Sequence, residues 1–224
     1  MTPTLVASYP AYSAASNTTA LTTPSFTPAS GEIIVVKRAT EDSAHAYSGV
    51  PSGGSLTYTS RASDNSGSHC YVDIYTAVGA GASMTVSSGA LSTSAWHSMM
   101  VERWSGAQLA ATPATNSTKT GTGAPSATVI TVASNSIVTS VNADWAAIAP
   151  TGRAYRSSAN EDGLHDKSTG NYVAYFFYQT AAASGSQTIG LTAPTGETWS
   201  MLGIEIQDAG GVTPLPELVM PQMR

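Results

Sequence analysis

Short runs of apolar and β-branched residues recur along the chain, separated by clusters of Gly, Pro, Ser and Asn. Residues 32–39 (EIIVVKRA) form a nearly continuous apolar run that ends in Lys37 and Arg38, which predicts a central β-strand. Core strands are also predicted at residues 71–78, 98–104, 172–178 and 199–207, and weaker strands at residues 5–9, 56–61, 84–87, 128–133, 137–141, 154–157 and 188–191.

Residues alternate in character along segment 71–78 (YVDIYTAV). Successive side chains of a strand point to opposite faces of the sheet. We therefore expect the aliphatic side chains to face inward, and we expect Tyr71, Asp73 and Tyr75 to lie on a half-exposed face.

The whole pattern predicts an all-β protein. No window of helical length carries an apolar stripe at i, i+3, i+4 and i+7. Short strands with turn residues between them are typical of a single two-sheet antiparallel β-sandwich, which we expect to be of the jelly-roll type. One such domain is predicted over residues 1–208, with at most one helical turn near Asp144.

A Gly/Pro-rich segment, residues 209–224, follows the predicted domain. Gly210 and Gly211 are predicted to form a hinge, and the prolines beyond them favour an extended tail because proline fixes φ and removes a hydrogen-bond donor. The tail is predicted to anchor the protein to a partner through its apolar side chains, which are Leu215, Leu218, Val219 and Met220. Residues 1–20 are the alternative anchor.

Charge is scarce, which excludes several classes of protein. Of 224 residues only 10% are charged, with 9 Lys and Arg against 14 Asp and Glu and a formal net charge of -5. This balance argues against nucleic-acid binding and against an anionic membrane surface as partner. Residues 1–16 have neither the basic start nor the apolar run of a signal peptide, which predicts synthesis in a cytoplasm without a leader. No stretch is apolar over the roughly 18 residues that a membrane span needs.

Catalytic motifs are not found in the sequence. A Gly-x-Ser-x-Gly elbow, a phosphate-binding loop and a HExxH metal motif do not occur. We therefore predict no enzyme activity, no catalytic residues, no cofactor and no metal site. Cys70 follows His69 at the entrance of a predicted strand. Adjacent residues of a strand point to opposite faces, so Cys70 is interpreted as a packed thiol.

One acidic segment, residues 160–166 (NEDGLHD), concentrates polar side chains. Its acidic oxygens are of the type that calcium prefers, but their spacing does not match an EF-hand. We favour a solvated turn between strands over a calcium loop.

Aromatic side chains provide another candidate site, because aromatic faces suit the apolar faces of sugar rings. Trp104 and Trp199 lie in strand patterns and are predicted to be core residues. Trp145 and Tyr155 fall in a loop-rich region and are the candidate carbohydrate-binding residues.

Three segments together resemble a known family: TPSFTPASGEIIVV (residues 23–36), AWHSMMVERWSGA (95–107) and SQTIGLTAPTGETWSMLGIEI (186–206). They are similar to the β-sandwich virion proteins of tailed phages of actinobacteria that are called minor tail proteins. The resemblance spans about residues 20–207 and rests on pattern rather than on a diagnostic motif. It implies a non-enzymatic structural role on the virion, with other virion proteins as partners and possible contact with host cell-wall glycan.

Two alternatives remain open from the sequence. The same fold and anchoring logic suit a capsid decoration protein or head fibre, and exposed aromatic residues would suit a carbohydrate-binding adhesin module. In each case a homo-oligomer or a symmetric array is expected.

Overall fold

The computed structural model describes residues 2–41, 44, 46–64, 70–109, 119–146 and 148–210. Within these ranges the fold is all-β, with two 3-10 turns at Arg156–Ser158 and Ser168–Gly170 and no α-helix. The strands are β1 (Thr4–Tyr12), β2 (Ile33–Thr40), β3 (Thr59–Asp64), β4 (Tyr71–Val78), β5 (His97–Ser105), β6 (Ala107–Gln108), β7 (Lys119–Thr122), β8 (Ser126–Thr131), β9 (Ser136–Asp144), β10 (Ala154–Tyr155), β11 (Asn160–Lys167), β12 (Tyr172–Ala181), β13 (Gly185–Ala193) and β14 (Thr198–Asp208).

The strands form three antiparallel sheets. A five-stranded sheet has the order β1-β5-β2-β4-β3, and a six-stranded sheet has the order β11-β12-β9-β14-β6, with β7 also paired to β14. A three-stranded sheet has the order β10-β13-β8. The five-stranded sheet uses only the first five strands of the chain, so the jelly-roll connectivity is not confirmed.

The main core lies between the five-stranded and six-stranded sheets. Val35, Ile74 and Trp104 from the first sheet pack in one cluster with Val141 and Phe176 from the second. Each strand contributes alternate side chains, as the pleat requires. The predicted central strand is confirmed: all eight residues of β2 are buried, because both faces of the strand are covered.

Loops cover the outer face of the five-stranded sheet. Phe26, Met84 and Val86 from these loops pack against Ile34 and Val36 of β2. The expectation that Tyr71, Asp73 and Tyr75 lie on a half-exposed face is therefore wrong, because these side chains are buried beneath the loops. Residues 84–87, which were predicted to be a strand, form only isolated bridges to residues 22, 26 and 52.

The three-stranded sheet covers the outer face of the six-stranded sheet. Ile189 and Val129 from the smaller sheet pack with Tyr175 and Phe177 of β12. Gly203 of β14 permits this close approach, since a Cβ there would lie 2.5 Å from Ile189 Cδ1. Trp104 and Trp199 are core residues as predicted, with exposed fractions of 1% and 2%.

The acidic segment is a strand, which corrects the sequence-based interpretation. Residues 160–167 form β11 and pair with β12 along the edge of the six-stranded sheet. The alternation that would have revealed a strand is broken by a bulge between Glu161 and Gly163. A solvated turn was therefore predicted where the chain forms an edge strand.

A buried ion pair joins the five-stranded sheet to its loop layer. Arg38 donates to both carboxylate oxygens of Asp73, and its remaining donors bond the backbone oxygens of Gly49 and Ser88. The guanidinium also lies 4.3 Å from the ring centroid of Tyr47. One side chain thus connects two strands and two loops.

We expect Arg38→Met to lower the free energy of unfolding by about 3–5 kcal/mol, because it leaves the Asp73 carboxylate buried without its counter-charge. The control is Arg153→Met, which removes the same kind of bidentate pair with Glu161 where both side chains are 31% exposed. That change should cost about 1 kcal/mol or less. Urea denaturation of the variants measures the difference, and equal losses would contradict the role assigned to Arg38.

Candidate functional site

A lysine lies in the centre of the main core. Lys37 occupies β2 between Val35 and Ala39, on the face that packs against the six-stranded sheet, and none of its surface is exposed. A buried ammonium group requires counter-charges and hydrogen bonds, because desolvation of an unpaired charge is costly. The partners of Lys37 come from both sheets.

Glu102 of β5 is the first partner. Val35 pairs with Glu102 and Lys37 with Met100, so Lys37 and Glu102 are diagonal neighbours on one face of the sheet. Lys37 Nζ donates to Glu102 Oε1. Trp104 Nε1 donates to Glu102 Oε2 at 2.9 Å. Both oxygens of Glu102 are therefore held in fixed positions.

Thr139 of β9 connects the pair to the six-stranded sheet. Its hydroxyl lies 3.1 Å from Lys37 Nζ, from which it accepts a hydrogen bond. The same hydroxyl lies 2.9 and 2.8 Å from the two oxygens of Glu102. Thr139 is wholly buried, so the contact is made away from solvent.

Asp162 of β11 is the second acidic partner. It is the extra residue of the bulge between Glu161 and Gly163, and its side chain is 3% exposed. Its Oδ2 lies 3.7 Å from Lys37 Nζ, and its Oδ1 accepts a hydrogen bond from the Ser8 hydroxyl of β1. Asp162 Oδ2 has no hydrogen-bond partner among the described residues.

Gly163 allows β11 to approach the five-stranded sheet. A Cβ at this position would overlap the Met100 side chain and the Tyr12 hydroxyl. The bulge and the glycine together bring the Asp162 carboxyl beneath β1, where it reaches Lys37. We refer to Lys37, Glu102 and Asp162 as the interior triad.

The interior triad contains one base and two acids. Burial raises the pKa of Glu102, and the neighbouring Asp162 raises it further, whereas Lys37 lowers it. The net effect is a raised pKa, so Glu102 holds a proton at a higher pH than the same side chain does in water. The Phe176 ring centroid lies 5.7 Å from Lys37 Nζ, so apolar surroundings complete the enclosure.

A second polar cluster lies between the six-stranded and three-stranded sheets. Glu197 and Asn142 are both buried, and Asn142 Nδ2 lies 3.5 Å from Glu197 Oε2. Asp144 lies nearby and accepts hydrogen bonds from the backbone N–H groups of Ala146, Ile148 and Thr198. Burial, together with the charge of Asp144, raises the pKa of Glu197 to about 8.

A serine and a histidine also meet in the core. The Ser98 hydroxyl lies 2.7 Å from His165 Nδ1 and 2.8 Å from the Tyr172 hydroxyl. Burial lowers the pKa of His165 to about 4, with Lys167 and His97 adding to the effect. Ser98 has no exposed surface, so this pair cannot meet a substrate and is assigned a packing role.

The candidate carbohydrate-binding residues have different surroundings. Trp145 is 36% exposed, and its backbone N–H donates to Thr198 O at 2.8 Å. Tyr155 is half-buried, with its ring against Phe177 and its hydroxyl donating to Glu161 Oε2 at 2.8 Å. Trp145 presents aromatic surface to solvent, whereas Tyr155 contributes to the core.

The remaining predicted positions divide into two groups. Cys70 is buried, in agreement with its interpretation as a packed thiol. The predicted anchoring residues, Leu215, Leu218, Val219 and Met220, lie outside the described residues.

The acidic side chains of β11 have separate partners. Glu161 pairs with Arg153, Asp162 belongs to the interior triad, and Asp166 accepts a bond from the Ser168 N–H. No group of three or more His, Cys, Asp or Glu in the described part of the chain is arranged to hold a metal ion.

The sequence pattern does not identify Lys37 and Glu102 as a site. One signal was available: Lys37 and Arg38 follow each other in a segment predicted to be a central strand, so their side chains must enter opposite covered faces. Each then requires an acid from a neighbouring strand. The register that selects Glu102 cannot be obtained from the pattern alone.

Comparisons of the chain with protein-family models, with curated proteins and with solved structures found no match. In the described ranges, no helix has the length and apolar character needed to cross a bilayer.

Glu197 predicts a dependence of stability on pH. A carboxyl whose pKa is about 8 in the folded protein and 4.5 ordinarily binds more protons folded than unfolded between these values. The free energy of unfolding therefore falls as pH rises through this window. We expect Glu197→Gln to make the fall shallower, measured by urea denaturation at several pH values.

The matched control for this prediction is Glu161→Gln. Its hydrogen bond with Arg153 lowers the pKa of Glu161, so its titration lies below the window. This variant should keep the pH dependence of the unchanged protein. If Glu197→Gln also keeps it, the assignment to Glu197 is wrong.

Proposed function

We propose that the protein is a structural component of a tailed bacteriophage particle, a minor tail protein displayed on the virion. The resemblance of residues 20–207 to minor tail proteins of actinobacterial phages supports this role. In this proposal other virion proteins are its partners, it acts without enzyme activity or a cofactor, and it occurs as a homo-oligomer or symmetric array.

The observation that carries the proposal is that charged side chains on the central strands are buried in the interior and pair with each other there. Lys37, Glu102 and Asp162 bridge two sheets, and Arg38 and Asp73 bridge a sheet to its loops, all with buried side chains. Such pairs fix the relative positions of layers and leave no charged group of their own at the surface. A rigid, weakly charged module suits a part that is assembled into a particle.

We assign the attachment to the C-terminal segment of the chain, residues 209–224. We propose that Leu215, Leu218, Val219 and Met220 insert into a partner subunit, since a proline-rich segment with spaced apolar side chains can bind by strand addition or pocket insertion. A capsid decoration protein or head fibre would use the same attachment, and therefore the location on the particle must be measured.

Immunogold electron microscopy on particles of the phage that encodes the chain tests the proposal. Gold on the tail is the expected result, and gold on the head would replace the minor tail assignment by the capsid alternative. If the antibody recognises the purified protein but leaves the particles without gold, a virion role is contradicted.

A truncation tests the attachment separately. We expect a chain ending at Asp208, where β14 also ends, to lose binding to purified tails while keeping its fold. Binding is measured by co-sedimentation, with circular dichroism as the check on folding. If the truncated chain binds the purified phage tails as well as the full-length chain does, residues 209–224 are not the anchor.

Trp145 favours a second candidate function, that of a carbohydrate-binding adhesin module. Its exposed ring is available for stacking on a sugar. On this function Trp145→Ala should reduce retention on host cell-wall polysaccharide by about tenfold or more, with unchanged stability. Retention is measured by affinity electrophoresis.

The matched control is Tyr155→Phe, which keeps the ring on Phe177 and removes only the hydroxyl that donates to Glu161. This variant should bind polysaccharide as the unchanged protein does if Trp145 alone forms the platform. Equal binding by Trp145→Ala and the unchanged protein would remove the adhesin candidate.

A further inference from the structure

We propose that Lys37 and Asp162 condense to an intramolecular amide bond, with Glu102 transferring the protons, so that the five-stranded and six-stranded sheets become covalently joined. The inference concerns the chemistry of the interior triad and does not depend on the proposed function. It assigns a covalent self-modification to side chains that otherwise form only an ion cluster.

The positions of the reacting groups carry the proposal. Lys37 Nζ lies 3.7 Å from Asp162 Oδ2, and both side chains are enclosed, at 0% and 3% exposure. Reacting groups that are enclosed side by side without competing solvent react faster than the same groups free in solution, once Nζ aligns with Cγ. Asp162 Oδ2 has no hydrogen-bond partner in the described part of the chain, so this oxygen is free to leave.

The two acids of the interior triad have different roles. Glu102 is held through both oxygens by Thr139, Trp104 and Lys37, and Lys37 Nζ points its N–H at Oε1. That geometry suits proton transfer between nitrogen and oxygen rather than attack on the carboxyl carbon. Asp162 has one oxygen that accepts a hydrogen bond from Ser8 and one that has no hydrogen bond, which suits the acyl donor.

The enclosure favours the neutral forms that the reaction needs. An amine attacks only when it has lost its extra proton, and a carboxyl group loses hydroxide readily only when it is protonated. Burial and the charge of Asp162 raise the pKa of Glu102, which favours transfer of a Lys37 proton to Glu102. The same low-polarity surroundings make the charged starting state costly.

The reaction balances without any added reagent. The interior triad begins with Lys37 as an ammonium and with one proton shared between Glu102 and Asp162. A proton passes from Nζ to whichever acid lacks one, and the amine forms the Nζ–Cγ bond with Asp162. Glu102 then gives a proton to the departing oxygen and receives one from the nitrogen. The Cγ–O bond breaks, one water molecule leaves, and Glu102 ends protonated, with no oxidation or reduction.

Mass spectrometry of the intact, purified full-length chain tests the proposal. The expected mass is that of the sequence less one water molecule. Digestion with trypsin should yield a branched peptide that joins the segment around Lys37 to the segment around Asp162, because trypsin does not cut after an acylated lysine. A chain of full mass, with Lys37 open to trypsin after denaturation, would overturn the proposal.

A competing reaction gives the same mass and has to be separated. Asp162 is followed by Gly163, and an Asp-Gly pair can lose water by closing on its own backbone as a succinimide. The branched peptide distinguishes the two products directly. Loss of water without a branched peptide, or loss of water that persists in Lys37→Met, would contradict the amide bond.

Glu102→Gln tests the proton transfer. This variant keeps the size of the side chain and both reacting groups, and formation of the branched peptide should slow by roughly 100-fold or more. Glu161→Gln is the matched control, because Glu161 precedes Asp162 but pairs with Arg153, and it should form the cross-link as the unchanged chain does. Circular dichroism confirms that each variant is folded, and the mass of the unchanged chain remains decisive if Glu102→Gln does not fold. Full-rate cross-linking in folded Glu102→Gln would remove Glu102 from the reaction.

Discussion

Both faces of β2 are covered, and this constraint determines much of the rest of the structure. A strand at the centre of a sheet has no solvent-facing side once a second sheet packs on one face and a loop layer on the other. Lys37 and Arg38 are neighbours on this strand, so one enters each covered face. Each cation then needs an acid from another strand: Glu102 and Asp162 serve Lys37, and Asp73 serves Arg38.

The three-stranded sheet is needed for the same reason: apolar side chains on the outer face of the six-stranded sheet have to be covered. The six-stranded sheet carries large apolar side chains on both faces, since Phe176 and Phe177 of β12 are both buried. The three-stranded sheet covers the face that points away from the main core. Glycines occur where layers come closest, at Gly203 beneath Ile189 and at Gly163 beside Tyr12. Small residues at these points explain in part how a chain with 20 glycines and only 10% charge forms a well-packed core.

The sequence pattern predicts the strands that consist of apolar runs. It fails where a bulge or a buried charged side chain interrupts the alternation of apolar and polar residues. Residues 71–78 were predicted with the bounds that β4 has, because their alternation is uninterrupted. The pattern does not predict β11, because the bulge shifts the alternation of its side chains. A buried Asp162 is also not expected from hydropathy, since its burial depends on the nearby Lys37. The short strands β6 and β7 pair only at an edge of the six-stranded sheet, where local composition carries no signal. The interior triad depends on strand register, which is a property of the whole sheet.

The interior triad also connects the two halves of the chain. β2 and β5 supply the lysine and one acid, whereas β9 and β11 supply Thr139 and the second acid. If the first five strands folded alone, Lys37 and Glu102 would lose the hydroxyl that joins them and the cover that the six-stranded sheet provides. If the later strands folded alone, Asp162 would lose its only nearby cation in the described ranges. The contacts of Lys37 with Thr139 and Asp162 form only when both halves are present, and we therefore infer that the two sheets fold as one cooperative unit.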